Sequence, residues 1–107
     1  MSSVVVKSGY IIKQGGTIKS WKQRFMILTS CGTIRYFESP SSLAPKNGFD
    51  IRDINDVELV ESGVGHGPGL ILHMDKRAFK IKTFSAEDAS KWHKAFVAVK
   101  ESITSKP

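Results

Sequence analysis

"GYIIKQGGTIKSWKQRFMILTSCGTIRYFE", residues 9–38, decides the fold of this 107-residue chain. Three short runs rich in β-branched and aromatic residues follow one another, divided by glycine turns. "SGYIIKQ" (8–14) stops at Gly15-Gly16, "WKQRFMILT" (21–29) stops at "SCG", and "TIRYFE" (33–38) follows at once. Such runs read as strands, and the short spacings read as antiparallel connections. Beyond them "SPSSLAPKNG" (39–48) is a loop by composition. "FDI" (49–51) and "DVELVE" (56–61) give a fourth and a fifth strand. "GVGHGPG" (63–69), with four glycines and a proline, reads as a loop. "LILHM" (70–74) and "AFKIKT" (78–83) close a last hairpin around "DKR".

At Ser85 the period changes. In "SAEDASKWHKAFVAVKESI" (85–103) Ala89, Trp92, Phe96, Val99 and Ile103 recur at three- and four-residue spacing, one face of a helix. Ser85 with Asp88 three positions on is a helix-start signature. The expected architecture is mainly β with one α-helix: a seven-stranded bent antiparallel sheet pair or partial barrel, capped at one end by the C-terminal helix. Trp92 and Phe96 serve as plugs, and the uncapped end is the place for a ligand. One domain over 1–107 is expected, with its core at about 8–103.

Composition fits this reading. The hydrophobic share is 40% and the charged share 24%, values of ordinary globular proteins. A single cysteine, Cys31, excludes an internal disulfide and suits a reducing compartment. No run approaches the ~20 apolar residues of a membrane-spanning helix, and residues 1–8 lack a signal-peptide core. The net charge of +6 is unevenly spread. Residues 1–37 hold six cations and no acid, whereas residues 38–66 hold six acids and two cations. A surface polarised in this way steers an anionic partner to one side.

Strand alternation locates that side. Lys13 shares a face with Ile11, Lys22 with Arg24, and Tyr36 with Ile34, because side chains repeat with period two. In a three-strand meander Lys13, Lys22, Arg24 and Tyr36 converge at one rim. Fixed cations beside a phenol suit phosphate: Arg offers a planar donor fork, Lys a point charge, Tyr a neutral donor. Gly15 and Gly16 allow the backbone near a ligand, and Lys19 can fold over it. Ile18 has two readings, a side chain dipping into a bilayer interface or a lone exposed apolar residue. The loop is no P-loop, since a strand follows and Gly and Lys are not adjacent.

Other chemistry finds little support. His66, His73 and His93 lie on different elements without ligand spacing, so no metal site is expected. Cys31 reads as a passive thiol, and no nucleophile–base pair suggests catalysis or a cofactor. The acids from Asp50 to Glu61 read as a solvated face. Trp21, Phe25 and Phe37 are taken to adjoin core positions, and with the acidic middle this argues against a nucleic-acid partner.

The stretch 9–38 resembles the start of a pleckstrin-homology (PH) domain. The match lies in Lys13 near the end of the first strand, Lys22-x-Arg24 early in the second, Tyr36 in the third, and Trp92 in the closing helix. It extends from Gly9 to Ile103 and is nearest to members that read 3-phosphorylated inositol lipids. The resemblance implies that Lys13 and Arg24 grip the 3-phosphate side, Tyr36 bonds a neighbouring phosphate, and Lys46 meets the far side of the ring. Lys76 or Arg77 supplies a remaining contact, with His73 behind them. It further implies a non-catalytic, monomeric module, part of a larger cytoplasmic signalling protein. That module is recruited to the anionic plasma membrane by phosphatidylinositol 3,4,5-trisphosphate and/or 3,4-bisphosphate. The alternative on the same fold is a protein-interaction module with weak or no lipid specificity, using the exposed strand edge beside the helix.

Overall fold

Seven antiparallel strands precede one helix. They are β1 (Val5–Gln14), β2 (Trp21–Thr29), β3 (Thr33–Phe37), β4 (Asn47–Asp50), β5 (Asp56–Val64), β6 (Gly67–His73) and β7 (Ala78–Lys82); the helix is α1 (Ala86–Thr104). The computed structural model describes residues 3–14, 20–64 and 67–104. Gly15, Gly16, Ile18, Lys19 and His66 lie outside the described residues. The strands form one sheet in the order β4-β3-β2-β1-β7-β6-β5. Each of β2 through β4 pairs with its predecessor, as do β6 and β7, so the meander and the last hairpins are as expected. The two runs of strands meet where β1 pairs with β7, Ile12 opposite Lys82 and Lys13 opposite Ile81.

Alternation sets the core. Ile11, Met26, Leu28, Ile34, Tyr36, Leu70, Leu72, Phe79 and Ile81 face inward and are buried. The helix closes one side with Ala89, Trp92, Phe96 and Val99, all buried. Trp92 and Phe96 are fully so, and truncating such a side chain costs about 3–5 kcal/mol. Ser85 starts the helix: its hydroxyl accepts from the Asp88 amide at 3.0 Å, and its carbonyl accepts from the Ala89 amide at 3.1 Å. The Asp88 carboxylate also meets Lys7 of β1 at 3.5 Å, and Lys7 lies over the Trp92 ring. The hairpin between β2 and β3 turns at Gly32, whose φ of 91° lies in the left-handed region that glycine tolerates best.

Four expectations need correction. The glycine-rich 63–69 segment is mostly strand: β5 runs to Val64 and β6 begins at Gly67. Glycine suits this place because a Cβ at Gly69 would collide with the Ile81 carbonyl of β7. The fourth strand begins earlier, at Asn47, and Ile51 leaves it for a short 3-10 turn over Ile51–Asp53. The Asp50 carboxylate, accepting from the Arg52 amide at 2.9 Å, caps that turn. The first strand starts at Val5 rather than Ser8. Finally, the buried residues of β2 are Met26 and Leu28, so Trp21 and Phe25 are half-buried on the outer face. There Phe25 packs edge-on against Tyr10, and Lys82 lies over the Trp21 ring. Phe37, paired with Phe25, is half-buried on that outer face as well.

Candidate functional site

Lys22 and Arg24 lie on the same face of β2 as buried Met26 and Leu28, and Lys13 follows buried Ile11 on β1. The cations therefore continue the core-facing rows to the rim of the sheet. Lys13 stands opposite Lys22 in the β1–β2 pairing, and Arg24 stands opposite Ile11. Across the β1–β7 junction the turn after β6 contributes Arg77, whose guanidinium sits over the Phe79 ring at 5.2 Å. Tyr36 stacks on Phe79 with ring centroids 5.4 Å apart. The Lys13 ammonium lies over both rings, 5.5 Å from Tyr36 and 5.4 Å from Phe79. Two aromatic faces thus hold the central cation in place.

The electrostatics are one-sided. Burial holds Lys13 below the ordinary lysine pKa, and the like charges of Arg24, Arg77 and Lys22 add to the effect. Among the described residues no carboxylate pairs with Lys13, Lys22, Arg24 or Arg77. Arg24 donates to the Gln23 carbonyl at 2.8 Å, which uses one donor of its fork. The Tyr36 hydroxyl is buried and has no hydrogen-bond partner among the described residues. Burial pushes its pKa far above the ordinary tyrosine value, an effect that the Arg77 charge opposes. The phenol is thus a fixed neutral donor beside unpaired cations.

Not every expected residue joins this cluster. Lys46 donates its backbone N–H to the Tyr36 carbonyl at 2.7 Å, yet its ammonium turns to Glu38 at 3.9 Å. His73 ends β6 opposite Ala78, at the base of the basic turn, and its Nε2 meets Glu58 at 2.8 Å. Lys76 is exposed in the turn beside Arg77. Phe79, the floor under Lys13, was not singled out in the sequence, although it alternates with Ile81 on the same face. Cys31 lies exposed in the β2–β3 turn, at the other end of β2 from Lys22. Its thiol is drawn down to about 7, first by the Ser3 hydroxyl at 3.2 Å and then by that of Thr29 at 3.3 Å. Among the described residues no group of acids, histidines or cysteine is placed to hold a metal, and no helix is long and apolar enough to cross a membrane.

A helix-plugged antiparallel sheet, with a cationic rim that has no carboxylate partner among the described residues, defines the class: a small helix-capped β module. The chain belongs to the PH domain family, whose sequence profile matches residues 5–101. It is 31% identical to human pleckstrin homology domain-containing family A member 2 over 107 aligned residues, covering 96% of this chain and 25% of that relative. The chain thus spans about a quarter of the length of that curated relative. Among solved structures, the C-terminal PH domain of pleckstrin in complex with D-myo-Ins(1,2,3,5,6)P5 superposes with a TM-score of 0.80. Its sequence identity is 22%, with 94% of this chain and 99% of that one covered. The Slm1 PH domain in complex with phosphoserine gives a TM-score of 0.76 at 19% identity, covering 91% and 96%. These likenesses establish the shared fold.

Proposed function

We propose that residues 8–103 form a monomeric module that binds a phosphoinositide headgroup at the cationic rim. It would thereby bring a larger cytoplasmic protein to the plasma membrane. One observation carries this reading: Lys13 is crowded by Arg24, Arg77 and Lys22 with no carboxylate among them. A polyphosphate would relieve that repulsion and fill the donors, including the unpartnered Tyr36 hydroxyl. The pleckstrin and Slm1 domains were solved with phosphorylated ligands, which supports the same ligand class here. Lys22 and Lys46 flank the headgroup, and Lys46 exchanges its Glu38 pairing for phosphate. Leu43, a fully exposed leucine in the β3–β4 loop, meets the bilayer interface on the same side. Lys19 and Ile18 of the β1–β2 loop complete the proposed contacts.

A preference for 3-phosphorylated headgroups rests on the pairing of Lys13 with Lys22-x-Arg24. Charge-assisted hydrogen bonds contribute about 1.5–3 kcal/mol each. Several of them, less ordering costs, support micromolar or tighter binding, roughly 8 kcal/mol. The test is calorimetric titration with soluble inositol phosphates that differ only at the 3- and 5-positions. Tightest binding to the 3-phosphorylated compounds is expected. Equal affinity without the 3-phosphate would remove the preference, and no binding by any of them would remove the headgroup reading.

A further inference from the structure

The loop between β3 and β4 closes beside the rim and carries three serines. Its far end is tied back to Tyr36, whose carbonyl accepts from the Lys46 amide at 2.7 Å. Phe37 pairs with Phe25, so Glu38 and Arg24 lie one residue beyond the same cross-strand pair. Two of the serines hold the turn. The Ser39 amide donates to the Ser42 hydroxyl at 3.2 Å, and the Ser42 amide donates to the Ser39 carbonyl at 3.1 Å. Both are half-buried. Ser41 differs: it is exposed, and among the described residues its hydroxyl meets only that of Ser39, at 3.1 Å. Pro40, Leu43, Ala44 and Pro45 are exposed as well, and Leu43 completely so. An accessible segment outside helix and sheet is what a modifying enzyme can grip. Close by, Lys46 and Glu38 pair at 3.9 Å with both side chains more than half exposed, a geometry that holds weakly.

We infer that Ser41 is a phosphorylation site whose modification shuts the rim. The inference rests on the headgroup reading and adds its regulation. In the transfer, the Ser41 Oγ bonds to the γ-phosphorus of a nucleoside triphosphate held by a partner kinase. The bond from that phosphorus to the departing diphosphate breaks, and the hydroxyl proton passes to the kinase's base. The product carries a charge of about −1.5 to −2 and strong acceptor oxygens. Three effects then act in one direction. The phosphate draws Lys46 from its weak Glu38 pairing, so Lys46 no longer flanks a headgroup. The added charge lowers the positive potential of a rim that lacks carboxylate partners among the described residues. It also stands two residues from Leu43, so an anionic bilayer repels the loop that is proposed to meet it. Hydrolysis of the phosphate ester reverses all three.

The test uses the intact 107-residue chain. Incubation with a nucleoside triphosphate, magnesium and a set of purified serine kinases, mapped by mass spectrometry, should place phosphate on Ser41, and Ser41→Ala should abolish it. The chain with phosphoserine installed at position 41 should bind inositol hexakisphosphate about tenfold more weakly than the unmodified chain. Phosphatase treatment should restore the affinity. The phosphorus resonance of that phosphoserine should titrate at lower pH than in the Lys46→Gln variant, where the ion pair is gone. Phosphate on Ser39 or Ser42 instead, none on the loop, equal affinity in the two forms, or a resonance indifferent to Lys46 would overturn the inference. Failure of the unmodified chain to bind inositol hexakisphosphate would sink the headgroup reading and the switch with it, and the parallel titration tells that outcome apart.

Discussion

The rim at Lys13 and the β5 side of the molecule carry opposite charge, and they differ in a more telling way. Half of the ten acids are ion-paired among the described residues: Glu38 with Lys46, Glu58 with His73, Asp50 with Arg52, Asp88 with Lys7 and Glu87 with Lys91. Among the described residues the four rim cations have no such partner. Strand parity sets Lys13, Lys22 and Arg24 in rows that continue the core, and Arg77 joins them from the turn before β7. Net charge marks both regions, and under the proposed function it is the lack of internal pairing that distinguishes the rim.

Substitution at the rim gives the largest expected effect. Arg24→Ala should lower inositol-phosphate affinity by about 30-fold, roughly 2 kcal/mol, with the melting temperature nearly unchanged. Glu58→Gln, on the paired side, should leave that affinity as it was. Equal losses in the two variants would break the distinction. Tyr36→Phe should weaken binding about fivefold, roughly 1 kcal/mol, and hold or raise stability, since a buried unpartnered hydroxyl is removed. A clear fall in melting temperature would show that the phenol is satisfied within the fold.

Smaller effects concern stability alone. Lys13→Met should stabilise the ligand-free chain by about 0.5 kcal/mol, in the manner of surface-charge optimisation. The sign follows from linkage. Lys13 has a lowered pKa when folded, so below that value the charged form costs the fold its full penalty. As pH rises toward the ordinary lysine value the wild type loses its proton and gains stability, and the advantage of Met should vanish. Denaturant titrations at pH 7 and above pH 10 check this, and a Met variant less stable at pH 7 refutes it. His73→Ala, which breaks an exposed pair, should cost no more than about 0.5 kcal/mol.

Much of this was legible in the sequence. Period two, together with a meander of the first three strands, placed Lys13, Lys22, Arg24 and Tyr36 at one rim, and period 3.6 found the Trp92 plug. What parity does not reveal is which face turns inward. In β2 both sets are apolar, Met26 and Leu28 on one side and Phe25 and Ile27 on the other, so the inner face is decided by the sheet's curvature and the helix. The 63–69 segment misled for a different reason. Glycine in a strand weakens the local signal, and its use at Gly69, where β7 passes close, is set by a partner far along the chain. Arg77 and Phe79 reach Lys13 only through the pairing of β1 with β7, a non-local contact with no local mark.

That pairing has a mechanical consequence. β1 and β7 join along a short seam, Ile12 with Lys82 and Lys13 with Ile81, and Lys13 and Arg77 stand on its two banks. A rigid polyanion gripped by both, as the proposed function has it, would be a cross-brace that ties the first four strands to the last three. Loads transmitted from a membrane would then pass through the ligand as well as through the sheet, and the module would be stiffest when anchored.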